Sequence, residues 1–315
     1  MSPSPPVQAS RLARNLSIQA ELLRVCRTLS ERGIDSIVLK GVPLAHRVWG
    51  GLGRRERAML DNDVLVRVAD VGKAASVLEA LGYRPFQNRP LPSRFDVEFE
   101  LAFVTRTNSG ALFVDLHWAP FPPLLYPVSE ELVWRRTEFF ELDGLELRVL
   151  DPAMTLVELA SHFAQHTFSA AWVLKDLAAA WNTWSERIDR EDLQRLAEET
   201  GLVHALDFAL GAAEDLALLQ APPPPRVSQR AQRLRALLPA ERLADARPRH
   251  DYVRAMLALS LAPLPQIPRW LRYQVFPPIE QMAAIYESPV STALYLRYAT
   301  RPWRPLGRLL ARRRP

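Results

Sequence analysis

Cysteine is all but missing: Cys26 is the single one in 315 residues. No disulfide within the chain and no cysteine-built zinc site can form. Cys26 lies in an apolar helical stripe, which makes it a core residue and not a nucleophile. Lysine is scarce too, with Lys40, Lys73 and Lys175 against 37 arginines. Acidic residues stop at Glu287, after which Arg297, Arg301, Arg304, Arg308, Arg312, Arg313 and Arg314 add seven positive charges, more than the whole net charge of +5. The pI near 9.6 therefore reflects a tail over residues 297–315 and not a folded basic face. That tail could touch an anionic partner, but no specific nucleic acid is expected. No apolar run suits a membrane span: residues 255–268 are uncharged but too short, with three prolines. The Pro/Ser-rich start lacks the order of a signal peptide, so the expected location is cytoplasmic.

What is present is an ordinary globular composition, 48% hydrophobic and 24% charged, long enough for two modest domains or one large one. Residues 12–32 show helical periodicity closed by Gly33, and Ser36 to Leu39 is a β-prone run ending in Lys40-Gly41. Residues 42–49 read as a helix with Pro43 in its first turn, followed by a Gly/Arg-rich loop over residues 50–58. Residues 61–66 read as a strand and residues 71–81 as an amphipathic helix closed by Gly82. Residues 97–104 and 111–118 suggest an antiparallel pair, and residues 145–150 a further strand. From Asp151 the pattern turns helical, with helices expected over residues 154–168, 171–184, 190–200 and 203–219, before the break at residues 222–225. The expected division is an α/β domain with its N-terminal helix over residues 1–150, a helical domain over 151–296 and the basic tail over 297–315.

Asp61-x-Asp63 carries the most chemistry. On a strand, residues two apart share a face, so both carboxylates project together. Adjacent carboxylates resist ionising unless a cation lies between them, and hard divalent ions take oxygen ligands. Asp115, on the strand through residues 113–118, shares a face with Phe113 and His117. If that strand neighbours the first, three acids converge and could hold two metals. A turn-capping role for the D-x-D remains the alternative. Lys40-Gly41 falls at a strand-to-helix junction, where free N–H groups attract phosphate; a plain glycine turn with a solvated lysine is the other reading. Arg54, Arg55 and Arg57 lead into the carboxylates, either to meet a triphosphate or as a solvated loop.

Together these pieces resemble the DNA polymerase beta-like nucleotidyltransferase superfamily, and more closely the uncharacterised nucleotidyltransferase family of bacteria. The matching stretches are Val38-Leu39-Lys40-Gly41, Arg57-Ala58-Met59-Leu60 before Asp61-Asn62-Asp63-Val64-Leu65-Val66, Leu81-Gly82-Tyr83, and Val114-Asp115-Leu116-His117-Trp118. The resemblance covers roughly residues 30–180. It implies an α+β fold: a small mixed sheet with flanking helices, followed by an all-helical domain. It also implies Asp61, Asp63 and Asp115 as catalytic, metal-binding acids, Lys40, Gly41 and Arg57 as nucleotide-binding residues, and Mg²⁺ or Mn²⁺ with a nucleoside triphosphate as substrate. The implied reaction moves a nucleoside monophosphate to a hydroxyl acceptor, which could be a small molecule, peptide or protein, and releases pyrophosphate. Gly41-Val42 departs from the usual Gly-Gly or Gly-Ser, and Asn62 stands where an aliphatic residue is usual.

His162, His166 and Asp176 match similar residues of the family without a defined role, and His117 could orient a metal ligand or make a structural hydrogen bond. A catalytically weak binding module on the same fold is the competing function. A D-x-D glycosyltransferase fits less well, because fewer than the needed residues precede the D-x-D.

Overall fold

The computed structural model describes residues 5–53, 59–88, 91–92, 94–107, 110–165, 171–238, 259–277, 279, 282–283 and 290–300. Arg54, Arg55 and Arg57, His166 and the tail from Arg301 onward lie outside the described residues.

Among the described residues the elements run α1 (Pro5–Glu31), β1 (Ser36–Val38), α2 (Val42–Trp49), β2 (Asp61–Val66), α3 (Val71–Ala80), β3 (Arg84–Pro85), β4 (Glu100–Thr107) and β5 (Gly110–His117). They continue with α4 (Glu130–Arg135), β6 (Thr137–Leu142), β7 (Leu145–Leu150), α5 (Pro152–Gln165), α6 (Ala171–Trp184), α7 (Arg190–Glu199), α8 (Val203–Asp215) and α9 (Gln229–Leu237). The chain divides into two compact units, Met1–Pro263 and Leu264–Pro315. The second unit holds α10 (Ile267–Val275) and α11 (Thr292–Thr300). No helix among the described residues is long and apolar enough to cross a membrane.

The fold is mixed α/β, around a seven-stranded sheet in the order β3-β4-β5-β2-β1-β7-β6. β2 pairs parallel with β5 and antiparallel with β1, while β1 pairs parallel with β7. The alternation of β2 and β5 sorts the two sheet faces. Val64, Val66, Val114 and Leu116, with Leu101 and Phe103 of β4, pack into one core with Ile18, Leu22 and Leu29 of α1 and Val71, Ala74 and Leu78 of α3. The opposite face receives Asp61, Asp63, Asp115 and His117.

Several boundaries differ from the sequence reading for physical reasons. β4 starts at Glu100, because the Trp118 indole donates to the carbonyls of Phe95 (3.1 Å) and Glu98 (2.6 Å) and holds that stretch out of the sheet. β6 has no counterpart in the sequence reading; it pairs antiparallel with β7 across Asp143-Gly144, both at positive φ. α8 stops at Asp215, where Ala217 takes φ 53° and the Leu218 N–H bonds back to the Ala213 carbonyl. The change to helices falls where the sequence places it: Asp151 accepts from the Met154 N–H (2.8 Å) and Pro152 opens α5.

Candidate active site

The pairing of β2 with β5 sets the site. Asp63 stands opposite Asp115, Asp61 opposite Phe113 and Leu65 opposite His117. Cross-strand partners share a face, so Asp61, Asp63, Asp115 and His117 lie together on the face turned away from α1 and α3. Asn62 points the other way and donates to the Ile18 carbonyl of α1 (3.0 Å). This explains how a polar residue is accommodated where an aliphatic one is usual: its amide ties the strand to the helix beneath it.

Lys40 reaches this face from the end of β1. Its Nζ lies 2.8 Å from Asp63 Oδ1 and 3.7 Å from Glu158 Oε1. His117 Nε2 lies 3.1 Å from the same Asp63 oxygen and 3.4 Å from Glu100 Oε2. A carboxylate only accepts, so Nε2 is the protonated ring nitrogen. Asp63 is thus a buried carboxylate between two donors. Burial resists its ionisation, but Lys40 and His117 hold its pKa well below the usual carboxylate range. Burial likewise works against charge on Lys40, yet Asp63, Glu158 and Asp61 raise its pKa and keep it an ammonium. His117 follows the same logic: desolvation is outweighed by the bond to Asp63 and the charge of Glu100, and its pKa is raised.

Asp115 has the opposite balance. Burial first, then the neighbouring Asp63, pushes its pKa up to about 7, with Asp61 and Glu100 adding to the rise. The donor set therefore fits a hard divalent cation in its chemistry: carboxylate oxygens crowded on one face, one of them retaining a proton for want of positive charge. In the present arrangement Lys40 and His117 supply the positive partners of Asp63. Among the described residues no group of three or more His, Cys, Asp or Glu side chains is disposed as a ready-made metal site.

Gly41 follows Lys40 at φ 73° and ψ −112°, and opens α2 without a side-chain cap. The positive φ is the reason for glycine here. A Cβ would meet nothing closer than the Asp61 carbonyl at 3.9 Å, so the requirement is conformational and not one of space.

Lys40, Asp61, Asp63 and Asp115 are brought together, with Gly41 at the adjoining turn; Arg57 lies outside the described residues. His162 lies edge-on to Trp172, ring centroids 5.4 Å apart. Asp176, buried, accepts from the Trp49 indole (2.9 Å), tying α6 to α2. Sequence reasoning missed Glu158. Its signal was available: one carboxylate inside Met154-Thr155-Leu156-Val157-Glu158-Leu159-Ala160, a helical run buried throughout.

The profile of the family described as "Uncharacterised nucleotidyltransferase" matches residues 8–217. No curated protein matches the sequence. Among solved structures, the solution structure of the antibiotic-resistance factor ANT(2'')-Ia is 15% identical, with 58% of this chain and 90% of that chain covered and a TM-score of 0.37. The crystal structure of ANT(2")-Ia with adenylyl-2"-tobramycin is 14% identical, covering 57% and 95% at a TM-score of 0.37. An antigenic nucleotidyltransferase-like protein from Paracoccidioides brasiliensis is 14% identical, covering 62% and 91% at a TM-score of 0.32.

Proposed function

Since this chain belongs to the uncharacterised nucleotidyltransferase family, we propose that it is a metal-dependent nucleotidyltransferase, moving a nucleoside monophosphate from a nucleoside triphosphate to a hydroxyl-bearing acceptor. The observation that carries this reading is the register of β2 against β5, which sets Asp63 beside Asp115 with Asp61 two residues away on the same face.

A Mg²⁺ or Mn²⁺ ion held by Asp61, Asp63 and Asp115 would neutralise triphosphate charge and acidify the acceptor hydroxyl. The remaining work falls to the chain. Family resemblance assigns Lys40 and Gly41 to the nucleotide turn, where Lys40 adds a compact positive charge beside the acids and Gly41 supplies the positive-φ backbone that opens α2. Arg57 is assigned to the same triphosphate by family resemblance. Asp115, beside Asp63 on the same face, takes the proton from the acceptor hydroxyl. The acceptor oxygen then bonds to the α-phosphorus as the bond to the β-phosphate bridging oxygen breaks, and pyrophosphate leaves. Catalysis is chiefly positioning and charge neutralisation.

Incubation with labelled nucleoside triphosphates, Mg²⁺ or Mn²⁺ and an acceptor library should give labelled product and pyrophosphate. Asp61→Ala/Asp63→Ala should abolish both, and wild-type transfer by that variant would overturn the assignment. One observation favours a second reading, a binding module without catalysis: Lys40 and His117 both engage Asp63 Oδ1, so positive partners already stand at that carboxylate. Calorimetry separates the two, since metal-dependent triphosphate binding is expected of the enzyme and not of the module.

A further inference from the structure

Glu158 is a buried carboxylate, 3% exposed, in the middle of α5. Its helix neighbours Leu156, Val157, Leu159 and Ala160 are buried and apolar, surroundings that resist a charge unless a cation comes with it. Among the described residues its one ion pair is with Lys40, at 3.7 Å, a distance at which the ammonium is shared but not held. Its second oxygen, Oε2, makes no hydrogen bond among the described residues. The same ammonium sits 2.8 Å from Asp63 Oδ1. Lys40 thus stands between two buried acids, tight against the one on β2 and loose against the one on α5.

A divalent cation bound at Asp63 would repel the ammonium 2.8 Å away and compete with it for Oδ1, the oxygen that Lys40 and His117 both engage. If Lys40 had only Asp63, releasing it would strand an ammonium in a buried site, and the cost would count against metal binding. Glu158 removes that obstacle, because a second carboxylate with an unused oxygen lies within a small movement of Nζ. We propose that Glu158 is a positioning residue that receives Lys40 when Asp63 turns to a divalent cation, so that metal loading hands the ammonium from β2 to α5. This rests on the reading of Asp61, Asp63 and Asp115 as metal ligands.

The test is Mn²⁺ binding by the full-length protein without nucleotide, read from loss of the free-Mn²⁺ electron paramagnetic resonance signal. Glu158→Gln, nearly isosteric, should weaken Mn²⁺ binding by about tenfold, and Glu158→Asp should recover part of it. Lys40→Met, which removes the competitor, should tighten binding. In the Lys40→Met background, Glu158→Gln should have no further effect, because Glu158 acts through Lys40. A far-ultraviolet spectrum and melting curve for each variant identify any that fail to fold. Should Glu158→Gln misfold, Glu158→Asp decides the matter, weakening Mn²⁺ binding in the wild type and having no effect in the Lys40→Met background. Equal Mn²⁺ affinity in wild type and Glu158→Gln, or an undiminished Glu158→Gln effect without Lys40, would overturn the inference alone. Wild-type protein that binds no Mn²⁺, or binds it equally well as Asp61→Ala/Asp63→Ala, would instead overturn the metal reading beneath it.

Discussion

Replacing Asp115 by asparagine should make the metal-free protein more stable at alkaline pH while it removes transfer. The pKa of Asp115 is raised from 3.8 to about 7 by burial and by Asp63. Between those values the folded state binds more protons than the unfolded one, so stability falls as pH rises from about 4 to about 7 and levels off above that. At roughly 1.36 kcal/mol per pKa unit, the full displacement corresponds to about 4 kcal/mol. Asp115 is only partly shielded from solvent, and screening reduces this to about 2 kcal/mol. An asparagine cannot ionise and avoids the cost. For a unit the size of Met1–Pro263, that gain should raise the melting temperature by roughly 5 °C. Glu158, also raised to about 7 by burial, contributes with the same sign to both proteins and cancels in the comparison. Melting curves at pH 8 and pH 4.5 check the argument: a clear advantage of Asp115→Asn at pH 8 should shrink towards nothing at the lower pH. Added Mg²⁺ at about tenfold its dissociation constant should stabilise the wild type by about 1.4 kcal/mol and leave the variant unmoved. An advantage that is absent at pH 8, or the same at both pH values, would refute the electrostatic account of Asp115.

Two further outcomes concern the link between sheet and helices. Trp49→Phe removes the indole donor from buried Asp176 and should cost about 1–3 kcal/mol in urea unfolding; an unchanged midpoint would show that the bond contributes nothing net. A fragment of residues 1–150 should unfold without a cooperative transition, whereas residues 1–263 should melt as one unit, with circular dichroism against temperature deciding between them.

The candidate site was legible because its elements have short-range causes. Period-two alternation through Asp61 and Asp63, and again through Asp115 and His117, sets each pair on one face whatever the rest of the chain does. Their meeting was conditional, since it depends on β2 and β5 becoming neighbours across more than forty intervening residues, and only the parallel register of Asp63 with Asp115 settles it. The partners of Asp63 were less accessible. Lys40 was singled out for its rarity and its glycine, but its contact with Asp63 spans 23 residues and depends on β1 lying antiparallel to β2. His117 carried no sign of which nitrogen would be engaged, because that follows from Asp63 Oδ1 lying 3.1 Å from Nε2.

Glu158 shows where local reading ends. The change at Asp151 from strands to helices is correctly seen in the sequence, and it invites the view that everything beyond belongs to another body. The structure has residues on both sides of Asp151 within one compact unit, Met1–Pro263. Arg47 of α2 bonds to the Leu150 carbonyl (3.1 Å) and lies 4.6 Å over the Trp184 ring of α6. Trp49 meets Asp176, and Lys40 faces Glu158 of α5 across the face that carries the acids. A carboxylate in an apolar helix is costly when read within that helix alone. It becomes intelligible once α5 is seen to supply the second acid for a cation from β1. The helical half therefore completes the charge balance around Asp63, and a site drawn only from the strands leaves out the residue that governs where Lys40 can go.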